Sequence, residues 1–143
     1  MKRNLIGILS LVVMSLLLNP TAVYAQSYAK ANVPFDFKVG SAQLPSGTYD
    51  VREMGNANSV MVQNHETSSS AMAIARHENP RDTDAKLVFH RVGSQYFLAE
   101  IWRGPGTDGL IVPTSKQEKE LQKELQLAGN RAGGYEEVVV ALN

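Results

Sequence analysis

The sequence predicts a mainly β single domain. The expected form is an antiparallel sandwich or small barrel of about seven or eight strands, with one α-helix in the C-terminal half. Three observations carry this. Apolar and polar residues alternate with period two over most of the chain from Val33 onward, breaks rich in Gly, Pro and Asn separate the alternating runs, and helical periodicity appears only after Pro113.

The elements follow in chain order. In Val33-Pro34-Phe35-Asp36-Phe37-Lys38-Val39 the odd positions are apolar, which puts Val33, Phe35, Phe37 and Val39 on one buried face. Pro34 has no N–H to give a ladder, so the run is expected at a sheet edge. Leu44-Pro45-Ser46-Gly47 is a turn: Pro presets φ, and Gly accepts the conformation a type II turn needs. Alternation resumes over Thr48–Glu53, with Tyr49 and Val51 inward. Ser59–Gln63 and Ser69–Arg76 are the next strands, the latter with small Ala71, Ala73 and Ala75 opposite Met72 and Ile74. His77–Asp84 is the most polar loop. Lys86–Val92 and Gln95–Trp102 form a hairpin at Gly93-Ser94, a dipeptide suited to a primed turn. The run Tyr96–Trp102 is apolar on both faces and therefore reads as a central strand. Strict alternation puts Tyr96, Leu98 and Trp102 on one face, with Phe97, Ala99 and Ile101 on the other. Glu100 is then sheltered and should find a partner such as His90 or Arg91. After the Gly104–Gly109 loop, Ser115 and Glu118 form an S-x-x-E capping box. The helix it opens carries Leu121, Leu125 and Ala128 and stops at Gly129-Asn130. Tyr135–Leu142 is a closing strand.

Composition bounds what such a domain can do. Lys2 and Arg3, the apolar run Leu5–Leu18 and the small residues Val23 and Ala25 follow the signal-peptide order, so residues 1–25 are expected to be cleaved and 26–143 to form the single domain. The apolar run is shorter than the ~20 residues that span a bilayer. An exported periplasmic or extracellular protein with no membrane span after cleavage is the expectation. The remaining chain has two more acidic than basic groups, so it lacks the positive charge that phosphate backbones require, and no nucleic-acid partner is expected. The chain has no Cys, which leaves stability to an apolar core. A membrane β-barrel is rejected because the strands are shorter than the ~9–11 residues of a tilted crossing.

The chemistry-bearing residues are few. His65-Glu66 and His77-Glu78 begin like H-E-x-x-H, but the fifth positions are Ser69 and Arg81. No metal site is expected. Glu78, Asp82 and Asp84 match no calcium-loop spacing and fit a solvated turn. There is no G-x-S-x-G elbow, and "GPGTDG" lacks the Lys of a phosphate loop. No cofactor is expected. Phe89, Tyr96 and Trp102, with Glu100 and His90, are the candidate ligand-binding residues, for the aromatics could line an apolar pocket of a small barrel.

"VPFDFKVGSAQLPSGTYDV", "KLVFHRVGSQYFLAEIW" and "SKQEKELQKEL" resemble a group of small exported bacterial proteins, most abundant among soil Acidobacteria and without an established function. The shared pattern is F-x-V-G, L-P-A-G-x-Y, an F-x-R-Y-G-x-x-Y-F-L hairpin with I-W, and a charged helix. It covers Phe37–Gly40, Leu44–Tyr49, Phe89–Trp102 and Ser115–Leu125, with Ser46 and Val92 departing from the usual Ala and Tyr. The resemblance implies secretion and a β-rich fold and carries over no catalytic residue.

The function expected is that of an exported, non-enzymatic binding or envelope-associated module, whose partner is an envelope component or another protein. Recognition is expected on the loops His77–Asp84 and Gly104–Gly109. The alternatives are a carrier of an apolar ligand, and a hydrolase using Glu100 and His90.

Overall fold

The computed structural model describes residues 29–55, 58–129 and 134–143. The expected signal segment lies outside the described residues. Among the described residues the protein is mainly β, with one helix in the C-terminal half. Strands β1 (Ala29–Val33), β4 (Gly47–Met54), β5 (Ser59–Gln63) and β6 (Ser70–Ile74) form an antiparallel sheet in the order β1-β4-β5-β6. The second sheet runs β11 (Glu136–Ala141), β8 (Lys86–Val92), β9 (Gln95–Trp102), β10 (Gly109–Ile111) and β7 (Arg76–Glu78). The short hairpin of β2 (Phe37–Val39) and β3 (Ala42–Leu44) joins it by a parallel pairing of Lys38 with Phe97 on β9.

The two sheets meet along two lines. At one, Ala31 bridges Leu142, and Lys30 and Asn143 exchange backbone hydrogen bonds of 3.0 and 2.9 Å. At the other, a single buried residue, Ala75, separates β6 in the first sheet from β7 in the second. The second sheet curls, so the architecture lies between the predicted sandwich and the predicted barrel.

The short strands added to the expected set have physical causes. Pro34 interrupts the first alternating run, which becomes β1 and β2 with residues 34–36 between them. The apolar face survives this break: Ala31, Val33, Phe37 and Val39 are all buried, and Phe35 is half-buried. Ala29–Asn32, which precedes the first expected strand, pairs with β4, its Ala residues alternating with Lys30 and Asn32. Arg76–Glu78 extends into the expected loop because its backbone pairs with β10. The Pro45–Gly47 turn is pinned by the Asp36 carboxylate, which accepts from Ser46 N at 2.8 Å, and by the Tyr49 hydroxyl, which donates to Pro45 O. A Cβ on Gly47 would lie 2.6 Å from Asn64 Nδ2, so the turn needs glycine for close approach.

The expected faces of β9 are corrected by the structure. A β-bulge between Val88 and Phe89 inserts Ala99 opposite no residue of β8. Pairs Phe89–Leu98 and Leu87–Ile101 therefore share the inner face, while Val88–Glu100 and Lys86–Trp102 share the outer one. Leu98 and Ile101 belong together in the core, and Trp102 lies on the side away from them. Two residues opposing one reset the period-two phase, which strict alternation could not anticipate.

Around Phe37 the inner faces pack closely. Phe37 meets the rings of Tyr49 and Phe89 edge-on at 5.0 and 5.2 Å. Burial holds the Tyr49 hydroxyl above its ordinary pKa, the nearby Asp36 charge adds to this, and a hydrogen bond with Asn64 opposes it. The outer face of the β8–β9 hairpin is covered at one end by α1 (Lys116–Leu127), whose N-cap Ser115 accepts from Glu118 N at 3.1 Å. The leucines expected to anchor this helix are only half-buried. Its buried residue is Glu118.

Candidate functional site

One end of the molecule gathers both loops expected to carry recognition. Strand β7 opens the His77–Asp84 segment and pairs with β10, which closes the Gly104–Gly109 loop, so Glu78 stands opposite Gly109. Beside Glu53, which His77 of the first loop contacts, is an open cavity of about 450 Å³ between the sheets. Its floor comes from both layers: Ala29 and Val51 from the first sheet, Ile101 and Leu110 from the second. Val51, Ile101 and Leu110 are themselves core residues.

The rim follows from strand alternation. Tyr49, Val51 and Glu53 share a face of β4, and Ile101 and Arg103 a face at the end of β9. Glu53 and Arg103 are thus the first charged positions past the apolar interior on each sheet. They meet across the gap, Arg103 Nη1 to Glu53 Oε2 at 3.4 Å. His77 Nε2 reaches Glu53 Oε1 at 3.0 Å, and His77 Nδ1 lies 3.7 Å from Asp108. Arg52 also lines the cavity. An apolar floor under a ring of directional charges is the arrangement that holds a small molecule by its body and orients it by its polar end. The approach of the loops is backed by Arg81, whose guanidinium lies 4.7 Å from the Trp102 ring centre, and by Gly109, which lies against that ring.

The five candidate residues do not share one pocket. Phe89 is in the solid core. Tyr96 is half-buried and stacks on Phe35 at 3.9 Å. Trp102 is on the outer face, where its indole N–H donates to Glu100 Oε2 at 2.7 Å. That bond, rather than the expected His90 or Arg91, is the partner of Glu100. His90 and Glu100 do come together, along a cleft of about 270 Å³ that also includes Arg76, Thr114 and Tyr135. Glu118, absent from the candidates, holds His90 Nδ1 at 2.7 Å. Its capping-box signal identified a helix start and concealed that the carboxylate turns inward.

His65 pairs with Asp50 at 2.9 Å, far along β4 from the cavity rim. Among the described residues no group of three or more His, Asp or Glu side chains is placed to hold a metal ion. No helix among them is long and apolar enough to cross a membrane. On the outer face of β6, Met72 and Ile74 are 56% and 74% exposed. No protein family, curated protein or solved structure matches the chain.

Proposed function

We propose that the protein is an exported, non-enzymatic binding module that receives its ligand at the loop end, in the cavity between the sheets. The observation that carries this reading is the meeting of His77 and Arg103 on Glu53 at the edge of a space with an apolar floor. Of the rim residues, Glu53 and His77 stand on strands of the two sheets and Arg103 directly follows β9, so the charged groups are held at or beside strands rather than at loop tips. A ligand with an apolar body and a polar head satisfies both parts, which brings together the binding-module and apolar-carrier expectations. The hydrolase expectation has less support, because His90 and Glu100 line a separate cleft and are bonded to Glu118 and Trp102 rather than to each other.

The test uses the chain as it exists and the dye anilinonaphthalene sulfonate, which has an apolar body and an anionic group. Saturable binding to the folded protein is expected. Ala29→Trp, which fills the cavity from its partly exposed wall, should weaken binding at least about tenfold. Dye binding that is non-saturable, or unchanged in A29W, would overturn the proposal.

A further inference from the structure

We propose that the cleft beside His90 is a second binding site, for a hydroxyl-rich ring of the saccharide kind. It lies on the outer face of the second sheet, apart from the loop-end cavity, and rests on different observations. Glu118 is the only charged residue among the described residues that is fully buried, with its side chain 4% exposed. A buried carboxylate costs stability unless it is paired, and an apolar side chain would serve packing better at that place. Glu118 instead accepts from His90 Nδ1 at 2.7 Å and from Gln122 Nε2 at 3.4 Å.

In the neutral imidazole, a carboxylate on Nδ1 makes that nitrogen the donor and leaves Nε2 with its lone pair. Tyr135 stacks on the imidazole, with ring centres 3.6 Å apart, and holds its plane. No described residue bonds Nε2, and His90 lines the cleft. Glu118 is thus a positioning residue, turning His90 into an oriented acceptor.

The other groups in the cleft narrow the ligand. Glu100 contributes a second acceptor, since Trp102 occupies only Oε2. Two acceptors, one of them a carboxylate, disfavour an anion. Arg76 on the same wall disfavours a simple cation and can donate to an oxygen. An apolar ligand would leave the acceptors unmet, which is the expensive case for sheltered polar groups. What remains is a neutral molecule rich in O–H donors that also accepts. The Thr114 hydroxyl can do either. Pro113 and the half-exposed Tyr135 ring present C–H and π surface of the kind that the flat faces of a sugar ring can cover. The cleft is sized for one ring rather than an extended chain.

The experiment follows the ring nitrogens of His90 by NMR while methyl glucoside or cellobiose is added to the whole protein. The free protein should show a protonated Nδ1 and a bare Nε2. Either sugar should shift Nε2 saturably, with His65 unmoved as an internal reference, and a response to cellobiose alone would identify a chain end. Glu118→Gln should shift the tautomer balance and weaken binding about tenfold, and Glu100→Gln should weaken it similarly. If E118Q does not fold, E100Q decides by the same criterion, since its side chain is away from the helix. His90 resonances that do not respond to either sugar, or that respond in the variants with the same affinity as in the parent protein, would overturn the proposal.

Discussion

The two faces of the β8–β9 hairpin are made by the same two strands yet behave as different materials. The inner face, with Leu87, Phe89, Leu98 and Ile101, is uniformly apolar and is closed by the first sheet except at Ile101, on the floor of the loop-end cavity. The outer face alternates Val88 and Trp102 with His90 and Glu100, and its cover is discontinuous: a helix at one end, a loop clasp at the other. A face closed by another sheet admits only shape complementarity, because any polar group there would lose water without gaining a partner. A face covered piecemeal leaves seams, and polar side chains survive in seams by bonding to the covering pieces. Glu118 on His90 and Trp102 on Glu100 are such bonds. The bulge at Ala99 is what makes the difference possible, since it turns Glu100 and Trp102 together away from the core.

Three substitutions sharpen that contrast. Phe89→Ala empties the inner face at its most crowded point, between Phe35 and Phe37, and should cost about 3–5 kcal/mol in urea unfolding. A loss near zero would mean that the inner face is not a tightly packed layer. On the outer face, Gly109→Ala would place a Cβ 2.5 Å from the Trp102 ring. The expected cost is about 1–3 kcal/mol, with a changed tryptophan emission as the indole moves. Unaltered emission and stability would show that the loop clasp is loose.

The smallest effect tests the first sheet's side of the core. Burial raises the Tyr49 pKa above its ordinary 10.0, so the unfolded chain loses this proton first as pH rises. The resulting stability is whole below about pH 10 and is lost as pH climbs through the folded-state pKa. Tyr49→Phe removes the hydroxyl and its bond to Pro45 O, at a neutral-pH cost of about 1 kcal/mol. Its unfolding midpoint should decline less steeply above that pH than the parent's. Equal declines would place the alkaline sensitivity elsewhere.

Much of the fold was legible because the relevant forces are local. Alternation in Thr48–Glu53 and Ser59–Gln63, the Gly93-Ser94 hairpin and the Ser115 cap each appear where expected, since backbone propensity and period-two burial act over a few residues. Pro34 warned of a break but not that the strand before it would pair with β4. The site was legible in part. The loops His77–Asp84 and Gly104–Gly109 could be chosen by polarity, and His90 with Glu100 by their place among apolar neighbours. Glu53 and Arg103 could not be chosen, because each looks like an ordinary charge at a strand end until the opposite sheet arrives. Alternation around Tyr96–Trp102 misassigned the aromatic residues because a bulge leaves no mark in the hydrophobic pattern.

By itself the sequence determined a β-rich domain with one late helix, an apolar inner face and no cysteine chemistry, since composition and short-range periodicity are properties of the chain alone. Only the tertiary structure decided that β6 crosses to the other sheet at Ala75, that Glu53, Arg103 and His77 meet over one cavity, and that Glu118 turns from its helix cap to His90. Those are contacts between residues some 25 to 50 positions apart. Their partners are set by how whole strands register and how layers cover one another, which no local pattern encodes.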